Sequence, residues 1–166
     1  MVLFVYMSDI TIRRAYEQDT NPIYNLVPEL APLTYHTRYT YWNLFRNFGN
    51  VCFVALDQDQ PVGFITSHPT TTPENEWFIW QAGIVSEFRG KGLIDKLQDR
   101  VVSIARESGA IALTTSIESD NPRSLGAFTR MAIRLGTSIE EISRFNLDSE
   151  DKTSAPEVLY RIPLQS

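Results

Sequence analysis

Four consecutive residues, Arg89-Gly90-Lys91-Gly92, carry the strongest chemical signal in this chain. They lie between an apolar run over residues 77–85 and an amphipathic stretch that starts at Leu93. The first amides of a helix have no intrahelical acceptor, and the helix dipole places partial positive charge there. Glycines let the backbone come close to a ligand, and two cations add charge. A strand, a basic glycine turn and a helix start, in that order, predict an anion site suited to a phosphate or diphosphate. Taken alone the turn also fits a plain basic loop; the flanking strand and helix favour binding. It lacks the Gly-Lys-Ser/Thr ending of a P-loop and the complete dinucleotide fingerprint.

Other residues offer weaker chemistry. Thr114, Ser116 and Glu118 alternate along an expected strand and so share one face. Glu118, near the strand end, fits either a solvated carboxylate or a base that relays a proton through water. Asn121 before Pro122 reads as a helix cap. Tyr35, Tyr39, Tyr41 and Trp42 either pack at helical spacing or wall a pocket. Trp80 and Gln81 fit the core or an acceptor pocket. His36 and His68 have no metal-ligand spacing around them, so no metal site is expected. His36 fits an exposed loop residue or a base. Cys52 is the sole cysteine and sits in an apolar run, which predicts a buried, inert thiol.

The elements that must position these residues follow from periodicity. A strand is expected over Ile10–Arg14, then a helix from Thr20-Asn21-Pro22 cut short by Pro28 and Pro32. A second helix over Arg38–Phe48 should end on Gly49 as its C-cap. Strands over 51–56 and 62–67 form a hairpin through the polar turn 57–61, and 69–73 reads as a loop. A strand over 76–85, a helix over Leu93–Glu107 and a strand over 110–117 make a crossover. A helix headed by Asn121 and closed by Gly136 follows, then strands over 138–145 and 158–162 around an acidic loop at 148–151. The crossover implies one parallel pair in an otherwise antiparallel sheet, hence a mixed α+β or α/β fold.

The 166 residues suit one domain, expected over 8–166, with residues 1–7 as a short N-terminal extension and Met7 as an alternative start. Twenty acidic residues against 15 basic ones give a net charge of −5, so nucleic acid is a poor partner. No stretch is long enough to span a bilayer, so no membrane association is expected. The lone cysteine favours a reducing compartment, and a cytoplasmic location is expected.

Read together, these features resemble the GNAT-family N-acetyltransferases, and within them are most similar to the diaminobutyrate acetyltransferases of ectoine synthesis. The family signature is a basic residue or glutamine, two variable positions, Gly, one variable position, then Gly or Ala. Here it reads Arg89-Gly90-Lys91-Gly92-Leu93-Ile94, with Ile94 a departure. The closer resemblance rests on FIWQAGI at 78–84, SIESDNPRSLGAFTRMAIRLG at 116–136, VLYRIPL at 158–164, and the Tyr39-x-Tyr41 spacing.

The resemblance implies a GNAT fold with helices on both faces of the sheet. It implies transfer of an acetyl group from acetyl-CoA to a primary amine of a small molecule, such as the diamino acid L-2,4-diaminobutyrate. A homodimer without metal is implied as well. The pantetheine arm would lie between the fourth and fifth strands, against Ile84 and Val85. The diphosphate would sit on residues 89–94, and Asn121 and Phe128 would line the thiol end. A strand amide near Gly83 would stabilise the oxyanion. Phe128 stands where many relatives carry a tyrosine acid, which leaves Tyr39 and Tyr41 as the available phenols. Thr34 and Thr114 fall where the subfamily carries an aspartate and a glutamate suited to a cationic diamine. With His36, Tyr41, Trp80, Gln81 and Ser116 they make the expected acceptor side. A peptide or protein N-acetyltransferase and a non-catalytic acyl-CoA sensor are the competing readings.

Overall fold

The computed structural model describes residues 10–146 and 155–164. The expected N-terminal extension and the acidic loop at 148–151 lie outside these residues. The order is β1 (Ile10–Arg14), α1 (Thr20–Leu26), α2 (Arg38–Phe48), β2 (Phe53–Asp57), β3 (Gln60–Thr71) and β4 (Glu74–Ile84). Then come α3 (Leu93–Glu107), β5 (Ala112–Glu118), α4 (Pro122–Arg134), β6 (Glu140–Phe145) and β7 (Glu157–Pro163). The strands form one seven-stranded sheet in the order β1-β2-β3-β4-β5-β7-β6. Every neighbouring pair is antiparallel except β4 and β5, which are parallel, as the crossover predicts.

Four consecutive residues of β2, Phe53 to Leu56, and six of β3, Val62 to Ser67, are buried. Strands that bury successive residues are covered on both faces. Here α1 and α2 pack on β3, and α3 packs across β2, β3 and β4. The helix α3 buries Leu93, Leu97, Val101, Val102 and Ala105 along one stripe. Each leucine or valine of that stripe stabilises the fold by about 1.5–3 kcal/mol when fully buried.

The structure corrects several element boundaries. The β2–β3 turn is two residues, Gln58-Asp59, both at positive φ (46° and 69°), so the strands pair as far as Asp57 and Gln60. Two left-handed residues match the twist of a hairpin better than the expected five-residue loop. Residues 69–71 are strand, not loop: Pro69 pairs with Trp77, and Thr71 with Glu74. The Thr70 hydroxyl donates to the carbonyls of Pro73 and Glu76 and ties this end together. Gly49 is not a left-handed cap. Its φ is −58°, and glycine is required because a Cβ would stand 2.6 Å from the Ala15 carbonyl oxygen. A 3-10 turn over Gly49–Val51 then delays β2 to Phe53.

The sheet is joined by the fewest residue pairs at β4–β5, where the chemistry is expected. Only three residue pairs join β4 to β5: Glu76 with Ala112, Trp77 with Leu113, and Phe78 with Thr114. Beyond Phe78 the strands part, although β4 continues to Ile84 and β5 to Glu118. The β3–β4 register explains the parting. Ser67 opposes Ile79 and Thr66 opposes Gln81, so Trp80 is an extra, bulged residue. A bulge bends its strand and strengthens local twist, and this one lies two residues past the last β4–β5 pair.

Candidate active site

A cleft of about 520 Å³ lies at the far end of β4, between that strand, the start of α3 and α4; no β5 residue is among its described lining. One wall is β4, through Ala82, Gly83 and Ile84. A second is the turn and first residues of α3: Arg89, Gly90, Gly92, Leu93 and Ile94. A third is α4, with Asn121, Ser124 and Phe128, and the α1–α2 connection, Leu30 to Leu33, closes the top.

Backbone conformation explains the glycines of the turn. Gly90 and Gly92 have φ of +74° and +71°, a region that L side chains rarely adopt. A Cβ at either would meet nothing within 4 Å, so both face open space. The first helical bond of α3 runs from the Lys96 amide to the Gly92 carbonyl at 3.1 Å. The amides of Leu93, Ile94 and Asp95 precede it and have no acceptor within the helix. Open space, unpaired amides and left-handed glycines together fit a diphosphate. Arg89 bends back so that its Nε donates to the Ile84 carbonyl at 3.0 Å. The Lys91 ammonium lies 4.9 Å from the centre of the Phe88 ring. Lys91 and Val85 do not line the cleft among the residues described.

The gap-facing edge of β4 follows from hydrogen-bond alternation. The Val85 amide donates to the Val62 carbonyl at 2.9 Å. In an antiparallel ladder every second residue faces the partner strand. Gly83 therefore also bonds towards β3, and the amides of Ala82 and Ile84 face the gap. A Cβ on Gly83 would come within 2.8 Å of Leu33 Cδ1, so the connection packs directly on this strand.

Most of the expected acceptor residues gather at the bulge. The Tyr41 hydroxyl donates to Gln81 Oε1 at 3.0 Å, and Gln81 Nε2 donates to the Thr34 carbonyl at 2.9 Å. His36 packs on Trp80 with ring centroids 4.4 Å apart. Burial pulls the His36 pKa down, which leaves the imidazole neutral at neutral pH. Burial pushes the Tyr41 phenol up to about 12, so it holds its proton and acts as a fixed donor. Tyr39 lies apart from this cluster. It is two residues from Tyr41, hence on the opposite side of α2, 69% exposed, and packs on Trp42.

Thr114 stands at the last β4–β5 pair, where its hydroxyl donates to the Trp77 carbonyl at 3.3 Å. Ser116 and Glu118 follow in the stretch of β5 that pairs with β7 alone. Glu118 sits opposite Glu157, and burial, then Glu157 and Asp120, hold its pKa above the usual carboxylate value. Asn121 caps α4 by accepting from the Ser124 amide at 3.1 Å.

Several cleft residues were not anticipated. Leu30 and Leu33 gave only a proline-flanked apolar pattern. Arg123 and Arg130 look like an ordinary polar helix face. Gln98 sits on the expected buried side of α3 next to Leu97 and is fully buried. Its Oε1 accepts from Arg134 at 3.2 Å. A guanidinium only donates, so the amide orientation is set, and Nε2 is left without a partner inside the protein. An apolar stripe interrupted by a glutamine was the available signal. Among the described residues no group of three or more His, Cys, Asp or Glu gathers to hold a metal ion, and no helix is long and apolar enough to cross a membrane.

The Acetyltransferase (GNAT) family model matches residues 13–132. The L-2,4-diaminobutyric acid acetyltransferase of Halomonas elongata is 30% identical over 96% of this chain and 84% of its own length. The enzyme of that name from Streptomyces coelicolor is 33% identical, covering 93% of each chain. Diaminobutyrate acetyltransferase EctA from Paenibacillus lautus, solved with L-2,4-diaminobutyric acid and coenzyme A, superposes with a TM-score of 0.87 at 20% identity. That match covers 95% of this chain and 96% of the other.

Proposed function

The chain belongs to the GNAT acetyltransferase family and is an acetyl-CoA-dependent N-acetyltransferase, and from that premise we propose that its acceptor is a small diamino acid of the L-2,4-diaminobutyrate type. The observation that carries this is identity of about 30% across nearly the whole chain to enzymes acting on that compound. In this reading the cleft between β4, the start of α3 and α4 is the channel for the cofactor, and the polar and aromatic cluster at the bulge lies farther back along β4.

In the proposed reaction the uncharged amine attacks the acetyl carbonyl. A C–N bond forms, the C–S bond breaks, and CoA leaves as thiolate. In this reading a strand amide near Gly83, that of Ala82 or Ile84 on the gap-facing edge, stabilises the tetrahedral oxyanion. Glu118 takes the ammonium proton through water; its raised pKa makes it a better proton acceptor than an ordinary carboxylate. Tyr41 and Gln81 position Thr34 and the acceptor loop. Trp80, His36, Thr114 and Ser116 contact the acceptor, and the exposed Tyr39 protonates the departing thiolate only if its side chain swings into the cleft. Residues 84, 85 and 89–94, with Asn121 and Phe128, hold acetyl-CoA.

A cytoplasmic homodimer belongs to the same proposal. β6 is an edge strand exposed along its whole length, with Ile142 and Phe145 on the surface. An Ile142→Lys variant that stays dimeric by light scattering would remove this edge from the interface. The acceptor is tested by thiol release from acetyl-CoA with L-2,4-diaminobutyrate, monoamines, longer diamines and peptides. The diamino acid should give the highest kcat/KM. Turnover only with peptides would refute it.

A further inference from the structure

The basic side of the cleft on α4 lies on a different element from the α3 turn proposed for the diphosphate. Arg123 and Arg130 both line the cleft that Gly90 and Gly92 line from α3. Seven residues make about two helical turns, so the two side chains rise from nearly the same face of α4. A Cβ built on Gly126 would stand 3.5 Å from Arg130 Nη1, which shows the guanidinium folded back along the helix towards Arg123. The third arginine of this helix behaves differently. Arg134 is ion-paired to Asp95 at 3.0 Å and Asp99 at 3.1 Å. Among the described residues, neither Arg123 nor Arg130 has a carboxylate within ion-pair distance. Two unpartnered like charges on one helix face repel each other. The chain carries a net charge of −5, yet among the described residues no carboxylate is paired with either arginine. Both guanidinia are solvated in the free chain and are open to an anionic ligand in the cleft.

Coenzyme A carries a diphosphate and, separately, a 3′-phosphate monoester on its ribose. The amides and glycines at the start of α3 suit the diphosphate. We propose that Arg123 and Arg130 form a distinct phosphomonoester site that takes the ribose 3′-phosphate, and that this chain thereby distinguishes coenzyme A from its 3′-dephospho form. Guanidinium forks match phosphate oxygens in pairs, and such charge-assisted bonds are the stronger class. The inference rests on the cofactor lying along the cleft with its diphosphate on the α3 turn.

Calorimetric titration of the full chain with coenzyme A and with 3′-dephospho-coenzyme A tests it, using the native protein and the R123Q/R130Q double variant. Both positions are exposed, and melting temperatures check that the variant folds. The native chain should bind the dephospho form about tenfold or more weakly. The double variant should lose that same factor for coenzyme A and nothing for the dephospho form. Equal affinity of the native chain for both ligands overturns the proposal. So does equal weakening of both ligands in the variant, which would put the arginines on the diphosphate. Failure of the native chain to bind either ligand would refute the cofactor placement itself.

Discussion

Substituting Gly92 by aspartate and by asparagine isolates the charge at the proposed diphosphate site. The two side chains have nearly the same shape, and both tolerate left-handed backbone better than other L residues. At φ +71° each should cost about 1 kcal/mol of stability, or about 2–4 °C in melting temperature for a chain of this size. Since a Cβ there meets nothing within 4 Å, the side chain enters the cleft rather than the core. Only the aspartate brings a negative charge. At about 5 Å from one phosphate charge and an effective dielectric of about 20, the repulsion is about 3 kcal/mol, or about a hundredfold in Kd. The assay is calorimetric Kd for acetyl-CoA at two ionic strengths. Gly92→Asn should bind within a few-fold of the native chain, and Gly92→Asp about a hundredfold more weakly, with the difference shrinking as salt rises. Equal Kd values for the two variants would show that no phosphate lies at this turn.

Three further expectations use other parts of the site. Tyr41→Phe leaves Gln81 Oε1 buried without its donor and should destabilise the fold by about 1–3 kcal/mol, with a rise in acceptor KM that exceeds any change for acetyl-CoA; steady-state kinetics and thermal melting report both. Glu118 must be ionised to accept a proton, and its pKa is raised, so kcat/KM should climb with pH through a limb above the usual carboxylate range. Glu118→Gln should lower activity and remove that limb, and an unchanged pH profile would exclude the role. Cys52 is fully buried, and burial lifts its thiol to about 12. It should resist a disulfide-exchange reagent at pH 8 until the protein is unfolded.

Much of the frame is legible in the residues because apolar periodicity is strong there. The bounds of β1, α2 and α3 follow directly from alternation or from a helical stripe ended by a turn residue. The order of strand, glycine turn and helix around Arg89–Gly92 is legible because glycines and cations interrupt the apolar pattern there. The misread stretches depend on distant neighbours. Gly49 matches a C-cap in local pattern, yet its reason is the Ala15 carbonyl on another element. Pro69 argues against a strand, but pairing with Trp77 carries β3 past it. Gln98 shows only as a glutamine inside an apolar stripe, and Arg123 and Arg130 have no local signature, because what faces them is decided by how α3 and α4 sit beside the end of β4. The extra residue at Trp80 is equally silent: a bulge is a property of the register between two strands, not of either strand alone.

The brevity of the β4–β5 contact has a mechanical consequence. Three rungs make a narrow seam between a leaf of β1 to β4 and a leaf of β5, β7 and β6. Regions that share few backbone bonds open as separate cooperative units. Amide exchange in the unliganded protein should therefore be faster across β5, β7 and β6 than across β2 and β3. If acetyl-CoA occupies the cleft as proposed, it bridges β4 and α4, the helix that follows β5, and should slow exchange on both together, a clasp on the fold as well as a reactant.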